Sequence, residues 1–497
     1  MTRCSNYNIM QTDAVIICCI DFTRCITYDF VTIKRIPFDG SVPIERLALH
    51  MNLLKAGFGR VNITPAMGID IAGYFVVRKA EKVLDELEIN AIALEAGGEK
   101  VVFLSIDSCV SSTATFDVLR GYISEVTGLP LDAIFVSLTH THTAPILNIE
   151  DKDGLVQDYL QLVKCKLADA ARFALADLKP ARMGWAVGNA PKVAFVRRFR
   201  MKDGKIRTNP GVGNPDILEP IGEVDERVNV LRFDQEGGNS LVLVNFGNHP
   251  DTVGGCVISA DWPGFLRRRV EKALDNTRCM FINGAEGDVN HVNVNAKGGD
   301  YNDLAPDFDD VARGYGHARH MGNTMAGAVL QVFDKVNYQD VDSIRYLYRM
   351  VNAPSNMPRS EDMELARRYN ELHLAGKDSE IPFKGMELTT VVAEAGRMVR
   401  LENGPESFPL NIYGVAVGNV GFISIPGEGF TGIGRGLKEA EGYDVVLPLG
   451  LTNDGIGYFP MQEAYDEGGY EARSSNFKAG IAELIIDEGK KLLNSLR

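Results

Sequence analysis

Long apolar runs are missing from this 497-residue sequence, as are paired cysteines, a surplus of basic residues, low-complexity linkers and internal repeats. The longest early apolar run, AVIICCI at 14–20, lies between Asp13 and Asp21 without a basic start or a small-residue cleavage site. It reads neither as a signal peptide nor as a helix of the roughly 20 residues that a bilayer demands, so stable membrane insertion is not expected. The eight cysteines, at 4, 18, 19, 25, 109, 165, 256 and 279, never take CxxC spacing. That argues against a thiolate metal site and for free thiols in a reducing, cytoplasmic compartment. Lysine and arginine total 52 against 66 acidic residues, a net charge of -14. Such a balance repels phosphate backbones and anionic headgroups, so nucleic acid is not an expected partner.

The chain does have enough apolar mass, 45% of its residues, to build one large core or two fused ones. Residues 1–50 stand apart, holding four of the cysteines and little periodicity, and Met51 opens a differently patterned stretch. The expectation is an atypical, non-native leader over 1–50 and a single catalytic domain over 51–497. From there on, strand-length apolar runs each end in Gly, Asn, Asp or Pro: VVFLSIDS, AIFVSLTH, LVLVNFGNHP, CMFINGAEGD, GFISIPGE and VVLPLGLTND. Stretches with apolar residues three and four apart, such as DGLVQDYLQLVKCKLADAARFALADL and WPGFLRRRVEKAL, intervene. The alternation predicts an α/β fold of layered β-sheets packed with helices.

Histidine is scarce, eight in all, yet His140 and His142 stand two apart in SLTHTHTAP. In an extended strand such residues project to the same side, so both imidazoles can reach one centre. His249, in LVLVNFGNHPDTVGG, again stands where an apolar strand runs into a turn. Glu428, in GFISIPGEGFTG, ends another, where a buried carboxylate is costly unless a cation meets it. Imidazoles with a carboxylate are the donor set of catalytic zinc, which leaves one position for water. Two other patterns have competing readings. GEGFTG spells GxGxxG through Gly427, Gly429 and Gly432, the wording of a dinucleotide fingerprint and hence of an NAD-type oxidoreductase. Glu428 inside the motif opposes a pyrophosphate by charge. The loop NGAEGDVNHVN, residues 283–293, either floors a pocket with Asp288 or Asn290 as hydrogen-bonding groups for substrate or is a tight turn. His291 fits neither role, and the pair His317 and His320, three apart on a helix, suits metal geometry but reads as solvent-facing or capping.

Taken in order, AGFGRVNITPAMGIDIAGY, SLTHTHTAP, VNFGNHPDTVGG, ISADWPGFLRR, FINGAEGDVN, ISIPGEGFTGIGRGLK and LTNDGIGYFPMQEAYDEGGYE resemble the neutral/alkaline ceramidase family of zinc-dependent amidases, over roughly residues 54 to 490. The resemblance implies a ceramidase-like catalytic domain with a Zn2+ ion at the base of a pocket. It places the zinc ligands on His140, His249, Glu428 and Tyr458, and the catalytic groups around the scissile amide on His142, Arg197 and Tyr470. Whether His142 also ligates directly is left open, a zinc–nitrogen distance of about 2.0–2.1 Å being the mark of a ligand.

The chain departs from the family pattern at three points. Asn290 stands where the family has a serine. The sequence ends with LIIDEGKKLLNSLR, so no C-terminal immunoglobulin-like domain is expected. No secretion signal is visible. The expected function is therefore a cytoplasmic zinc hydrolase acting on a small-molecule N-acyl amide, smaller and less lipidic than ceramide. The alternatives are the oxidoreductase and a metal-binding protein without turnover.

Overall fold

The computed structural model describes residues 54–497, and the expectations for residues 1–50 and Met51 lie outside them. Nine strands form the larger sheet. Along its main path the order is Thr277–Asn283, Ser240–Phe246, Arg227–Gln235, Lys179–Asn189, Lys55–Asn62, Glu88–Ala96, Glu99–Ile106 and Ile134–Leu138, with Asn337–Gln339 added beside Lys179–Asn189. The centre is antiparallel, while the pairs at both ends, Ser240–Phe246 with Thr277–Asn283 and Glu99–Ile106 with Ile134–Leu138, are parallel. A second sheet orders Ile344–Pro354, Ser407–Val417, Val420–Ser424 and Val445–Leu449, its last pair again parallel.

Both faces of the larger sheet are buried, which is why its strands read as near-continuous apolar runs rather than as alternating ones. Ile89, Ala91, Ala93, Val102 and Leu104 face the helices Thr113–Thr127 and Gly154–Ala176. Val230, Val242, Val244 and Phe246 pack with Asp261–Ala273 and Tyr315–Val332. Residues of opposite parity, among them Ile92, Leu94, Phe103, Leu231 and Phe233, meet Val415, Phe422 and Leu447 of the second sheet. That sheet's other face, with Leu410, Ile412 and Ile423, is covered by Thr431–Lys438 and Ile481–Ser495. The result is four layers, helix, sheet, sheet, helix. Gly57 and Gly59 permit the closest helix–sheet approach, since a Cβ there would lie 2.1 and 2.2 Å from the carbonyl oxygens of Ala174 and Ala170. Among the described residues no helix is long and apolar enough to cross a membrane.

Twist carries the two ends of the larger sheet toward each other. Ser105 Oγ donates to Phe281 O at 2.5 Å, and Asn283 Nδ2 donates to Thr139 O at 3.2 Å and to Asn248 O at 3.1 Å. Loops leaving the carboxyl ends of strands that are far apart in the sequence thus converge on one place.

Candidate metal centre and catalytic cavity

His140 is the first group at that place. Its strand ends at Leu138, and His140 has φ +72°, a left-handed conformation that costs a side-chain-bearing residue free energy and collects at functional sites. The two histidines therefore reach one centre through a turn and not through strand alternation, which corrects the sequence expectation. Their Nε2 atoms are 3.3 Å apart. His140 Nδ1 lies 2.8 Å from Cys109 O, and a hydrogen placed there leaves the Nε2 lone pair directed inward.

His249 is fixed in the same manner. Its Nδ1 lies 2.9 Å from Glu286 O and 3.0 Å from Val289 O, so Nε2 again presents a lone pair. The surrounding loop is pinned by Asp261, which accepts from the backbone of Thr252 and Val253 at 2.8 Å each, and by Trp262 Nε1, which donates to His249 O at 3.2 Å. Glu428 belongs to a two-residue strand, Glu428–Gly429, paired in parallel with Tyr458–Phe459, and that pairing sets Tyr458 beside it.

The decisive geometry lies among these groups. Glu428 Oε2 is 3.4 Å from His140 Nε2 and 3.2 Å from His249 Nε2, and no hydrogen bond satisfies it. All three residues are buried, and they form a group able to hold a metal ion. Burial, with the charge of Arg197, lowers His249 to about 4, so its imidazole is neutral. Burial by itself would raise the Glu428 carboxyl, but the two facing histidines hold it well below the usual range. Burial by itself would lower His140, but Cys109 and Glu428 raise it well above its usual value, so without an ion a proton on His140 answers the buried carboxylate, and a divalent cation can take that proton's place. Zinc fits this donor set. Tyr458, whose phenol burial and Glu428 keep protonated in the absence of an ion, stands ready as a further oxygen donor.

Around the centre lies a cavity of about 280 Å3, lined by His140, His142, Arg197, Glu428, Tyr458 and Tyr470 among others. Arg197 is held by Glu471, which accepts from Nε at 2.7 Å, and by Gly287 O, which accepts from Nη2 at 2.8 Å; its Nη1 then lies 3.1 Å from His249 Nε2. The adjacent Arg198 turns instead to Glu467 and Gly468. The rings of Tyr458 and Tyr470 meet edge on at 5.4 Å. Burial raises the Tyr470 phenol, which keeps it a hydrogen-bond donor at neutral pH.

Asp288 and Asn290 are placed differently from the rest. Asp288 accepts from the Thr431 backbone at 2.7 Å and its hydroxyl at 3.0 Å, bracing the helix that follows Glu428. Asn290 donates to Asn209 Oδ1 at 2.8 Å and accepts from the Val292 backbone. Neither lines the cavity; Asn290 supports Asn209, which does, and the Asp288 carbonyl accepts from the backbone N–H of Arg197 at 3.0 Å. The glycines of GEGFTG also have a local purpose. A Cβ at Gly427 would lie 2.4 Å from Gly457 O, and one at Gly432 would lie 2.8 Å from Met461 Sδ. The room that a pyrophosphate needs is filled by the 457–461 segment.

Several residues at the site escaped the sequence reading. Asp251 Oδ1 lies 3.6 Å from His142 Nδ1, and the Asp251 carboxylate takes Arg313 Nε at 2.9 Å and Nη2 at 2.8 Å as well as the Tyr74 hydroxyl. Asp309 completes the clamp on Arg313. Glu286 is fully buried with both carboxyl oxygens unpartnered, and burial keeps it protonated. Asp251, two past His249 in HPD, and Tyr74, ending the first motif, carried a local signal. Arg313 carried none.

No family model matches the chain, and no curated protein sequence matches it. Among solved structures it is similar to neutral ceramidase from Pseudomonas aeruginosa and to a ceramidase complexed with C2. Each has a TM-score of 0.67 at 17% identity, over 90% of this chain and 75% of the other. The layered α/β architecture is thus that of the neutral ceramidase fold.

Proposed function

We propose that the chain is a zinc-dependent hydrolase that cleaves the amide bond of an N-acyl substrate. The observation that carries this reading is the buried approach of Glu428 Oε2 to His140 Nε2 at 3.4 Å and to His249 Nε2 at 3.2 Å, three donors able to hold one metal ion. The likeness of the fold to neutral ceramidase supports it independently. Zinc in such a donor set, with Tyr458 beside it, supplies Lewis acidity that polarises an amide carbonyl and acidifies water.

The chain's own groups then divide the work. His142, Arg197 and Tyr470 surround the place where negative charge develops as the carbonyl carbon turns tetrahedral. Arg197 is prearranged by Glu471 and Gly287, so little reorganisation is required at the moment of reaction. Asp251, fixed by Arg313 and Tyr74, attracts a hydrogen to His142 Nδ1 and leaves its Nε2 facing the centre. Glu428 is the group placed to share protons with the attacking water and the leaving amine.

The substrate is smaller and less lipidic than ceramide. At about 280 Å3 the cavity falls just below the range of about 300–1,000 Å3 for small-molecule sites, and its wall includes the charged Asp251, Asp309 and Arg313 beside Phe75, Phe308 and Met386. A neighbouring cleft of about 530 Å3 shares Thr208, Asn209, Asp309, Met386 and Tyr470 with it and adds Lys205, Arg207 and Lys384, a polar exit for the amine or a short acyl group. A screen of N-acyl amides with purified protein, with and without chelator, tests the reading. Turnover that chelator abolishes and zinc restores is expected. Zinc bound without hydrolysis of any acyl amide would leave a metal carrier.

A further inference from the structure

Of the seven histidines among the described residues, His140, His142 and His249 cluster at the candidate metal centre and three others line a separate cavity. His291, His317 and His320 enclose about 450 Å3 together with Lys192, Asp300 and Asp303. His291 follows the short strand Val289–Asn290, and His317 and His320 lie three apart at the start of helix Tyr315–Val332. The His291 and His317 rings are 6.0 Å apart, and those of His317 and His320 5.8 Å. In the catalytic group the corresponding separations are 4.7, 4.8 and 5.8 Å.

His291 is the informative member. It is 1% exposed, its Nε2 lies 2.7 Å from Ala312 O and so carries the hydrogen, and its Nδ1 has no partner at all. A buried imidazole nitrogen with a free lone pair calls for a cation or a donor and repels an anion. Burial keeps the ring neutral, lowering it to about 4. Asp300 and Asp303 lie close enough to act electrostatically on His317, so the cavity has carboxylates as well as imidazoles.

We infer that His291, His317 and His320 bind a second transition-metal ion of the zinc class, separate from the catalytic centre. His291 Nδ1 is the fixed ligand. His317, half-buried, and His320, exposed, turn onto the ion by side-chain rotation, and water or a carboxylate of Asp300 or Asp303 completes the set. An ion there ties down a loop that the catalytic centre also uses. The Glu286 and Val289 carbonyls of that loop hold His249, and its Asn290 pairs with Phe195, two residues before Arg197.

The test is a calorimetric titration of chelator-stripped full-length protein with Zn2+, followed by gel filtration and elemental analysis. Wild type takes two equivalents per chain. The double variant His317→Ala/His320→Ala takes one and keeps its hydrolytic rate, while His249→Ala also takes one. His291→Ala, paired with circular dichroism to check folding, loses the same equivalent as the double variant. A single wild-type equivalent that His249→Ala abolishes overturns the inference, as do two equivalents persisting in the double variant. A wild-type equivalent lost only in the double variant would instead overturn the catalytic metal and leave this site standing.

Discussion

Two groups of three histidines, the first with rings 4.7–5.8 Å apart and the second with neighbouring rings 5.8–6.0 Å apart, have been built to opposite standards of rigidity. In the catalytic group every ring is buried. His140 and His249 are aimed by carbonyl acceptors behind them, His142 Nδ1 lies 3.6 Å from Asp251 without a hydrogen-bond partner, and Glu428 waits among them without one at Oε2. In the second group only His291 is fixed; His317 and His320 make no side-chain hydrogen bond among the described residues and lie at a helix start near solvent. Preorganisation separates the two. Catalysis requires donors and ligands held in place before the reaction begins, whereas a structural ion can gather its own ligands and order them on binding.

The largest test of this contrast is His249→Ala. It should abolish hydrolysis and the catalytic zinc together, read by elemental analysis and turnover; retained activity would remove His249 from the centre. Arg197→Met and Tyr470→Phe should each lower kcat by about 10²–10³-fold, the usual cost of an oxyanion donor, while leaving the zinc in place. Asp251→Asn acts one step further out, through the orientation of His142. A fall of roughly 10–100-fold is expected, as for other groups that aim a site imidazole, and an unchanged rate would show that Arg313 and Tyr74 hold Asp251 for packing alone.

Acid separates the two groups less sharply, because both contain buried imidazoles held below their usual value, His142 and His249 in the first and His291 in the second. His249 and His291 are both lowered to about 4, against about 6.5 in an unfolded chain. Between those values the unfolded state binds more protons. In metal-free protein the contribution of His249 and His291 should therefore be complete above pH 6.5 and fall away progressively toward pH 4, each adding up to about 1.4 kcal/mol per pH unit to the slope. Denaturant midpoints measured from pH 7 to 4 should show this, and His291→Gln should flatten the curve; an unchanged slope in that variant would place the proton elsewhere. The smallest expected effect is on turnover in His317→Ala/His320→Ala, which should match wild type. A large loss there would mean that the second group reaches the reaction.

Much of this protein was legible along the chain. The apolar runs predicted strands, and residues 134–138, 240–246, 277–283, 420–424 and 445–449 are strands. The polar residues that interrupt those runs, His140, His249 and Glu428, do meet at the centre. Other features were hidden for physical reasons. His140 and His142 stand two apart, which suggested a pleat, but a turn at φ +72° aims them. The GxGxxG wording could not disclose that Gly457 and Met461 occupy its space. Arg313 is 62 residues from Asp251 and within hydrogen-bonding distance of it, a relation that no local pattern encodes.

Residue type and strand patterning were enough to state which side chains have chemistry to offer and that layered sheets would bury them. Only the tertiary structure decided which of them share a centre, because a metal site depends on distances of a few ångströms between residues hundreds of positions apart. Those distances are set by the twist that brings two sheet ends together and by carbonyls that point each imidazole inward, and neither is a property of any one stretch of sequence.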